Sequence, residues 1–248
     1  MIPKTIHYCW FGNNPKSGLI KECMQSWKKY CPEYEIKEWN EDNFDVESVR
    51  FTKEAYEAKK WAFVSDYVRL YALFSEGGIY LDTDNELLKS MDAFLSNQMF
   101  TGFESKDSPV TAVIGAEKGN AIIKGLMNAY TDRSFMTEGE DEKLVFQTNT
   151  LEISDYFMRI GIKPNGKLQC SQGLTVYPQI VFCPNNMSRI WNKTSNKSYA
   201  IHHFDQSWKE ESIENRDLKY RLRRYIIGLL RNVIGTKRLI ILSDRGKR

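Results

Sequence analysis

The stretch GGIYLDTDNELL, residues 77–88, places two carboxylates directly after a short apolar run. Its Gly-Gly pair is typical of a helix end, and the apolar residues 79–81 predict a buried strand. Side chains alternate along a strand, so Asp82 and Asp84 are expected to share a face, a few ångströms apart. Two like charges that close repel each other, and a divalent cation would offset the repulsion. The alternative is a solvated turn, in which Asp is an ordinary residue.

The sequence around this stretch predicts an α/β fold. Residues 5–11 and 34–39 have the composition of strands, and the intervening segment has a loop at 12–18 and helical spacing at 19–30. A long helical pattern covers residues 52–76, with a break near Lys59. This order is typical of a nucleotide-binding layer, in which ligands bind at the carboxyl ends of the strands. The two aspartates lie at that edge.

The pattern downstream of residue 90 is weaker. Segments 99–104 and 110–117 predict strands, and 121–130 predicts a helix. Residues 131–150 contain a polar acidic loop, and 174–184 is extended, with Pro178 marking an edge or a break. Residues 198–208 predict a final strand and a loop.

Two further polar groups are candidates for the same site. Asp66 and Arg69 are three residues apart in the predicted helix, so they share a face. Arg69 is either a second cation for an anionic ligand or a structural partner of Asp66, and the sequence leaves both readings open. His202 and His203 are adjacent in the last predicted strand, so one points into the site and the other away.

Composition limits the class of protein. The chain has 248 residues, of which 42% are hydrophobic, enough for one large domain with or without an appendage. Five cysteines without a C-x-x-C pair favour reduced thiols and a cytosolic protein. No apolar run approaches the roughly 20 residues of a membrane span, and the first residues do not resemble a secretory signal.

The charge is unevenly distributed. Residues 209–248 carry 12 basic and five acidic side chains, a net +7, so with a total of +3 the remaining chain carries −4. This segment also contains short Ile/Leu runs, as expected for an amphipathic helix at an anionic membrane surface. The alternative is a helix that packs on the domain with a solvated basic face. No nucleic-acid-reading motif is present in the sequence, so nucleic acid is not an expected partner.

Four blocks of the sequence, in order, resemble glycosyltransferase family 32, whose DXD region is shared distantly with the catalytic domains of large clostridial toxins. The blocks are residues 2–12, 23–45, 55–84 and 199–208. The resemblance implies a GT-A fold, which is a Rossmann-like nucleotide-sugar-binding domain with a mixed central sheet, over residues 1–208. Residues 209–248 would then be a basic C-terminal helical extension.

The resemblance also implies roles for individual residues. Asp82 and Asp84 match the DXD pair, with Asp84 as the direct metal ligand and Asp82 contacting the metal or the ribose. Asp66 and Arg69 match the helix pair that holds the donor sugar and phosphate. The remaining matches are Trp10 and Phe11 stacking on the base, Tyr80 beside the nucleotide, Asn149 near the donor sugar, Ser207 and Trp208 over the diphosphate, and His202 in the metal site, with His203 as the runner-up. For the aromatic residues at positions 10, 11 and 80, core packing is the alternative.

The predicted activity is metal-dependent, retaining transfer of a hexose from a nucleotide sugar to a glycan. The expected cofactor is Mn²⁺ or Mg²⁺, and the expected donor is UDP-galactose or UDP-glucose, then GDP-mannose. A lipid-linked acceptor in capsule, exopolysaccharide or O-antigen synthesis suits a cytoplasmic enzyme at the inner membrane face. One alternative is a non-catalytic partner that binds nucleotide sugar or glycan in an assembly complex. Another, a nucleotidyltransferase, lacks a phosphate-binding loop near the N-terminus.

Overall fold

A seven-stranded mixed sheet lies at the centre of the protein, whose computed structural model describes residues 1–105, 107–109, 112–135, 149–184, 194–205 and 226. The strands are β1 (Thr5–Cys9), β2 (Glu35–Trp39), β3 (Gly78–Leu81), β4 (Asn85–Leu87), β5 (Met99–Gly102), β6 (Val113–Ala116), β7 (Gln169–Ser171), β8 (Leu174–Tyr177) and β9 (Ala200–His202). The sheet order is β2-β1-β3-β6-β5-β8-β7. β1 is parallel to β2 and β3, whereas β6 is antiparallel to its neighbours β3 and β5. The prediction of an α/β fold with a mixed central sheet is confirmed.

Six α-helices surround the sheet in the described residues, and a short 3-10 helix covers Met91–Phe94. The α-helices are α1 (Gly18–Tyr30), α2 (Arg50–Glu57), α3 (Trp61–Glu76), α4 (Ala121–Asn128), α5 (Asn149–Arg159) and α6 (Gln179–Phe182). The predicted break near Lys59 separates α2 from α3, and Lys59 has a left-handed φ of 56°. Gly77 ends α3 with a φ of 71°, a conformation that glycine adopts without a steric penalty. The chain therefore enters β3 directly after α3, as the Gly-Gly pair predicts.

Each face of the sheet buries its own apolar cluster. Tyr80 faces a cluster shared with α3, α4 and α5, whereas Ile79 faces a cluster that contains Trp27 of α1. His7 of β1 is fully buried on the α3 side. Its Nε2 lies 2.7 Å from the Gly77 carbonyl oxygen, and its Nδ1 lies 3.1 Å from Nε1 of Trp39. A neutral ring that donates from Nε2 and accepts at Nδ1 satisfies both contacts.

A two-stranded ribbon of β4 and β9 lies beside the carboxyl end of β3. The strands are antiparallel, with Asn85 opposite His202 and Leu87 opposite Ala200. α1 supports this ribbon, because the indole N–H of Trp27 donates to the Asn85 carbonyl over 2.7 Å. The sequence did not predict β4, which has only three residues. The ribbon brings the last described strand next to the two aspartates.

Several sequence predictions need correction or lie outside the described residues. The extended prediction for 174–184 is wrong after Pro178, where α6 begins. The acidic loop predicted within residues 131–150 is the stretch 137–143, which lies outside the described residues. Asn149, at the end of that range, begins α5, a helix that was not predicted. The tail 209–248 also lies outside the described residues, apart from residue 226. Within the part of the chain that is described, every helix is too short or too polar to cross a bilayer.

Candidate active site

Asp82 and Asp84 lie in a tight turn between β3 and β4. β3 ends at Leu81, and the Asn85 N–H donates to the Asp82 carbonyl over 2.9 Å, which reverses the chain. The two aspartates therefore do not share one face of a strand, as alternation predicted, because β3 ends before the pair. The turn nevertheless brings the two carboxylates together.

Three potential metal ligands converge at this turn. One carboxylate oxygen from each of Asp82 and Asp84 and a ring nitrogen of His202 all lie within 4.8 Å of one another. His202 is delivered by β9, and its Nε2 lies 3.4 Å from the Asp84 carboxylate. The backbone N–H of Asp205 donates to the other Asp84 oxygen over 2.6 Å. Residues from two distant parts of the sequence thus form one cluster.

The two histidines have different surroundings. His203 Nε2 lies 2.9 Å from the Glu86 carboxylate, and its backbone N–H donates to the Asp84 carbonyl over 3.0 Å. Its ring therefore pairs with a different acid of the ribbon. Of the two candidates that the sequence left open, only His202 has its ring in the three-residue cluster.

A buried arginine lies on the other side of the cluster. Arg69 contacts both Asp66, at 3.1 Å, and Asp82, at 3.3 Å. Its guanidinium also lies over the Tyr80 ring, 4.7 Å from the centroid. Both readings of Arg69 are compatible with this position, because it pairs with its helix neighbour and also supplies a positive charge beside the turn.

Burial and local charge set the protonation of these groups. Burial raises the pKa of Asp66 to about 7, although Arg69 opposes the shift. Burial likewise raises the pKa of Asp82, again opposed by Arg69. Burial would also raise the pKa of Asp84, but His202 and the Asp205 N–H lower it to about 2. Asp84 in turn raises the pKa of His202 well above its ordinary value, against the effect of burial. Both shifts favour a charged carboxylate at Asp84 and a proton on His202.

The donor set fits a divalent cation. Carboxylate oxygens suit Mg²⁺ and Mn²⁺, and one imidazole nitrogen among them favours the softer transition metal Mn²⁺. Ligation by His202 requires its neutral form, so an ion would compete with the proton that Asp84 stabilises. Asp82, Asp84 and His202 are the residues that would hold the ion.

The remaining residues predicted to bind the donor differ in how far their side chains are buried. Trp10 is partly buried; its Nε1–H donates to the Asn14 carbonyl over 2.8 Å, and Lys16 lies over its ring. Phe11 is 4% exposed and packs edge-on against Phe44, as the core-packing alternative expects. Tyr80 is 2% exposed, and Asn149 is 6% exposed at the start of α5. Ser207 and Trp208 lie outside the described residues. The binding roles of these residues stay predictions.

Sequence reasoning missed a second layer around Asp66. Arg133 pairs with Glu152 at 2.5 Å, and both act electrostatically on the Asp66 carboxylate. Tyr130, which is 3% exposed, is close enough that Asp66 helps burial to raise its pKa. These residues follow β6 and come from α5 and the segment after α4, where the sequence pattern was weak. In the sequence, these residues could have been found only through Glu152, a charged residue among apolar residues of a helix.

Part of the sequence matches a family model of known proteins. Residues 18–101, about a third of the chain, match the family model described as the glycosyltransferase sugar-binding region containing the DXD motif. The matched range includes the Asp66–Arg69 pair and the turn at 82–84. This match supports a transferase enzyme, as the sequence predicts. No curated protein sequence matches the chain at the threshold applied.

Two solved structures are similar in part. The PaToxG glycosyltransferase is 21% identical over 51% of this chain, with a TM-score of 0.44, and the chain spans 59% of its length. A glycosyltransferase involved in glycosylation of the major capsid of PBCV-1 is 14% identical, with a TM-score of 0.46, over 89% of this chain and 96% of that one. At these scores neither structure decides a substrate or a mechanism.

Proposed function

We propose that the protein is a metal-dependent, retaining glycosyltransferase that transfers a hexose from a nucleotide sugar to a glycan hydroxyl. The convergence of Asp82, Asp84 and His202 within 4.8 Å of one another, beside Arg69, carries this proposal. The matched DXD region supports the nucleotide-sugar donor. Retention of configuration, and membership of glycosyltransferase family 32, are supported by the resemblance of residues 2–12, 23–45, 55–84 and 199–208.

In this proposal, some residues of the site bind the leaving diphosphate and others bind the donor sugar. When bound at the cluster, Mn²⁺ would neutralise the diphosphate as it leaves. Arg69, already oriented by Asp66 and Asp82, donates hydrogen bonds to a phosphate oxygen. Asp66, once ionised, accepts a hydrogen bond from a hydroxyl of the donor sugar. Its position on α3 therefore fixes the sugar relative to the phosphate.

The proposed transfer accounts for every bond and proton without a protein side chain acting as a base. The bond between the anomeric carbon and the phosphate oxygen breaks, and its electron pair leaves with the nucleoside diphosphate. The acceptor oxygen forms the new bond to the same carbon on the same face. Its proton passes to the departing phosphate oxygen, because the carboxylates of the cluster would hold the ion and Asp66 would hold the donor sugar.

The biological setting is proposed from charge rather than from the site. The +7 charge of residues 209–248 suits contact with the anionic cytoplasmic face of a membrane. A lipid-linked glycan would be presented at that surface. UDP-galactose and UDP-glucose are the favoured donors, followed by GDP-mannose, and the products would be capsule, exopolysaccharide or O-antigen.

Release of free nucleotide tests the activity directly. The protein is incubated with each of the three donors, with Mn²⁺ or with EDTA, and free UDP or GDP is measured. We expect slow release from at least one donor, dependent on Mn²⁺, because water replaces the missing acceptor. If a donor raises the thermal midpoint of the protein but no nucleotide is released over a day, the non-catalytic binding function is supported instead.

A further inference from the structure

We infer that the cavity between α4 and α5 binds a neutral sugar of the acceptor glycan. The cavity has a volume of about 690 Å³ and is lined by residues of both helices and by Leu70 of α3. This volume is typical of a small-molecule site, for which roughly 300–1,000 Å³ is usual. The inference rests on the proposed function, because it assigns the cavity to the second substrate of that reaction.

The cavity begins beside the candidate active site. Leu70 follows Asp66 by one helical turn, so the two residues are neighbours on α3. Tyr130 and Glu152 line the cavity. The Tyr130 ring packs against Tyr67, the residue after Asp66, with the ring centroids 5.6 Å apart. A ligand in the cavity can therefore present a hydroxyl to the region that Asp66 and Arg69 occupy.

The cavity also extends well beyond one sugar ring. Its lining residues on α5 run from Asn149 to Arg159, ten positions along the helix. At 1.5 Å per residue this span is about 15 Å. A single donor sugar held at Asp66 would leave the far half of the cavity empty. The length therefore favours a second, longer ligand over the donor alone.

One buried polar group lacks a partner at the inner end. Asn149 is 6% exposed and lines the cavity, and its Nδ2 has no hydrogen-bond partner among the described residues. Buried amide groups are almost always hydrogen-bonded, so an unpaired one indicates a missing acceptor. A hydroxyl or ring oxygen of a ligand would supply it.

The rest of the lining suits a neutral sugar. Tyr130 and Tyr156 provide aromatic surface, and the Tyr156 hydroxyl packs so closely on α4 that a Cβ at Gly125 would lie 2.0 Å from it. The charged lining residues are two carboxylates, Glu152 and Asp155, and one guanidinium, that of Arg159. Carboxylates accept hydrogen bonds from sugar hydroxyls and repel phosphates and uronic acids, and Arg133, which pairs with Glu152, offsets part of this repulsion.

Filling the cavity tests this assignment. Ala129 is an exposed lining residue at the end of α4, so Ala129→Trp narrows the cavity with little effect on the core. Met158→Trp narrows it from α5 and serves if the first variant folds poorly. Ala121→Trp is the matched control, because it places the same side chain at an exposed position of α4 that does not line the cavity.

The probes are lactose, maltose, para-nitrophenyl β-galactoside and para-nitrophenyl β-glucuronide, titrated into the full chain by ligand-observed NMR without nucleotide. We expect at least one neutral probe to bind, with an affinity at least tenfold weaker in Ala129→Trp or Met158→Trp and unchanged within twofold in Ala121→Trp. The glucuronide should bind at least tenfold more weakly than the galactoside. Loss of affinity confined to the cavity variants supports the assignment.

Three results would overturn it: no binding of any neutral probe at 10 mM, equal affinity in all variants, or a preference for the glucuronide. Nucleotide release from donor and Mn²⁺ alone is measured on the same wild-type preparation. Release without probe binding would refute the acceptor cavity and leave the proposed transferase intact. Absence of both would refute the proposed transferase as well.

Discussion

Substitution of Asp84 by Asn separates the metal role of this residue from its structural role. The amide keeps the shape of the side chain and an oxygen for the Asp205 N–H, but it removes the charge that pairs with His202. In the absence of metal, a fall in the Asp84 pKa from 3.8 to about 2 stabilises the charged native state by about 2 kcal/mol at neutral pH. For a chain of this size, that corresponds to a loss of roughly 4–8 °C in thermal midpoint.

The effect of Mn²⁺ is expected to be larger on function than on the fold. At about 100 times its dissociation constant, an ion adds about 2.7 kcal/mol to the stability of the native wild-type protein. Asp84→Asn should lose most of this increment and all Mn²⁺-dependent nucleotide release. Both quantities are measured on one preparation, by thermal unfolding across an MnCl₂ series and by assay of free UDP or GDP.

Glu86→Gln is the matched control for this experiment. Glu86 also pairs with a histidine, His203, on the same ribbon, but it lies outside the three-residue cluster and its side chain is 39% exposed. An exposed pair contributes little to stability, so this variant should resemble the wild type in both assays. If Mn²⁺ raises the thermal midpoint of Asp84→Asn as much as that of Glu86→Gln, the metal assignment is refuted.

Two further predictions concern Arg69 and His7. The substitution Arg69→Lys keeps the charge but removes the planar guanidinium that contacts Asp66 and Asp82 together. The dissociation constant for UDP, measured by calorimetry, should therefore rise at least tenfold. An unchanged dissociation constant would contradict the role of Arg69. Burial lowers the pKa of His7 below 6.5. Below pH 6.5 the unfolded chain therefore binds a proton that the native state does not bind, and the native state loses stability as the pH decreases. The difference in unfolding free energy between wild type and His7→Gln should decrease by up to about 1.4 kcal/mol per pH unit from pH 6.5 down to the native pKa. Urea unfolding at pH 7.5 and 5.5 measures this difference, and the same value at both pH values would refute the prediction.

The residues that the sequence predicted well belong to locally encoded features. The Gly-Gly pair, the apolar run 79–81 and the break near Lys59 each depend on backbone preference over a few residues, and each lies where it was predicted. The proximity of the two aspartates is also encoded locally, but by a pattern that was not predicted. A turn closed by one backbone hydrogen bond replaced the continuing strand, and the same residues fit both patterns.

Features that depend on pairing between distant segments could not be predicted. β4 has three residues, too few for a periodicity, and it exists because β9 and Trp27 satisfy its backbone. The choice between His202 and His203 depends on the register of that pairing, which alternation alone leaves undetermined. The contacts of Arg133 and Glu152 near Asp66 likewise require the packing of α5, which the sequence did not predict.

The contacts of the cluster also explain how the fold accommodates a buried acid, Asp84, next to a partly buried one, Asp82. Asp82 already faces the guanidinium of Arg69, and Asp84 already faces the imidazolium of His202. Each carboxylate therefore has an internal countercharge, so repulsion between the acids need not unfold the metal-free chain. This differs from a structural zinc site, where the ion supplies the folding energy. Since His202 must give up its proton to bind an ion, the proposed metal-bound state would replace the internal pair.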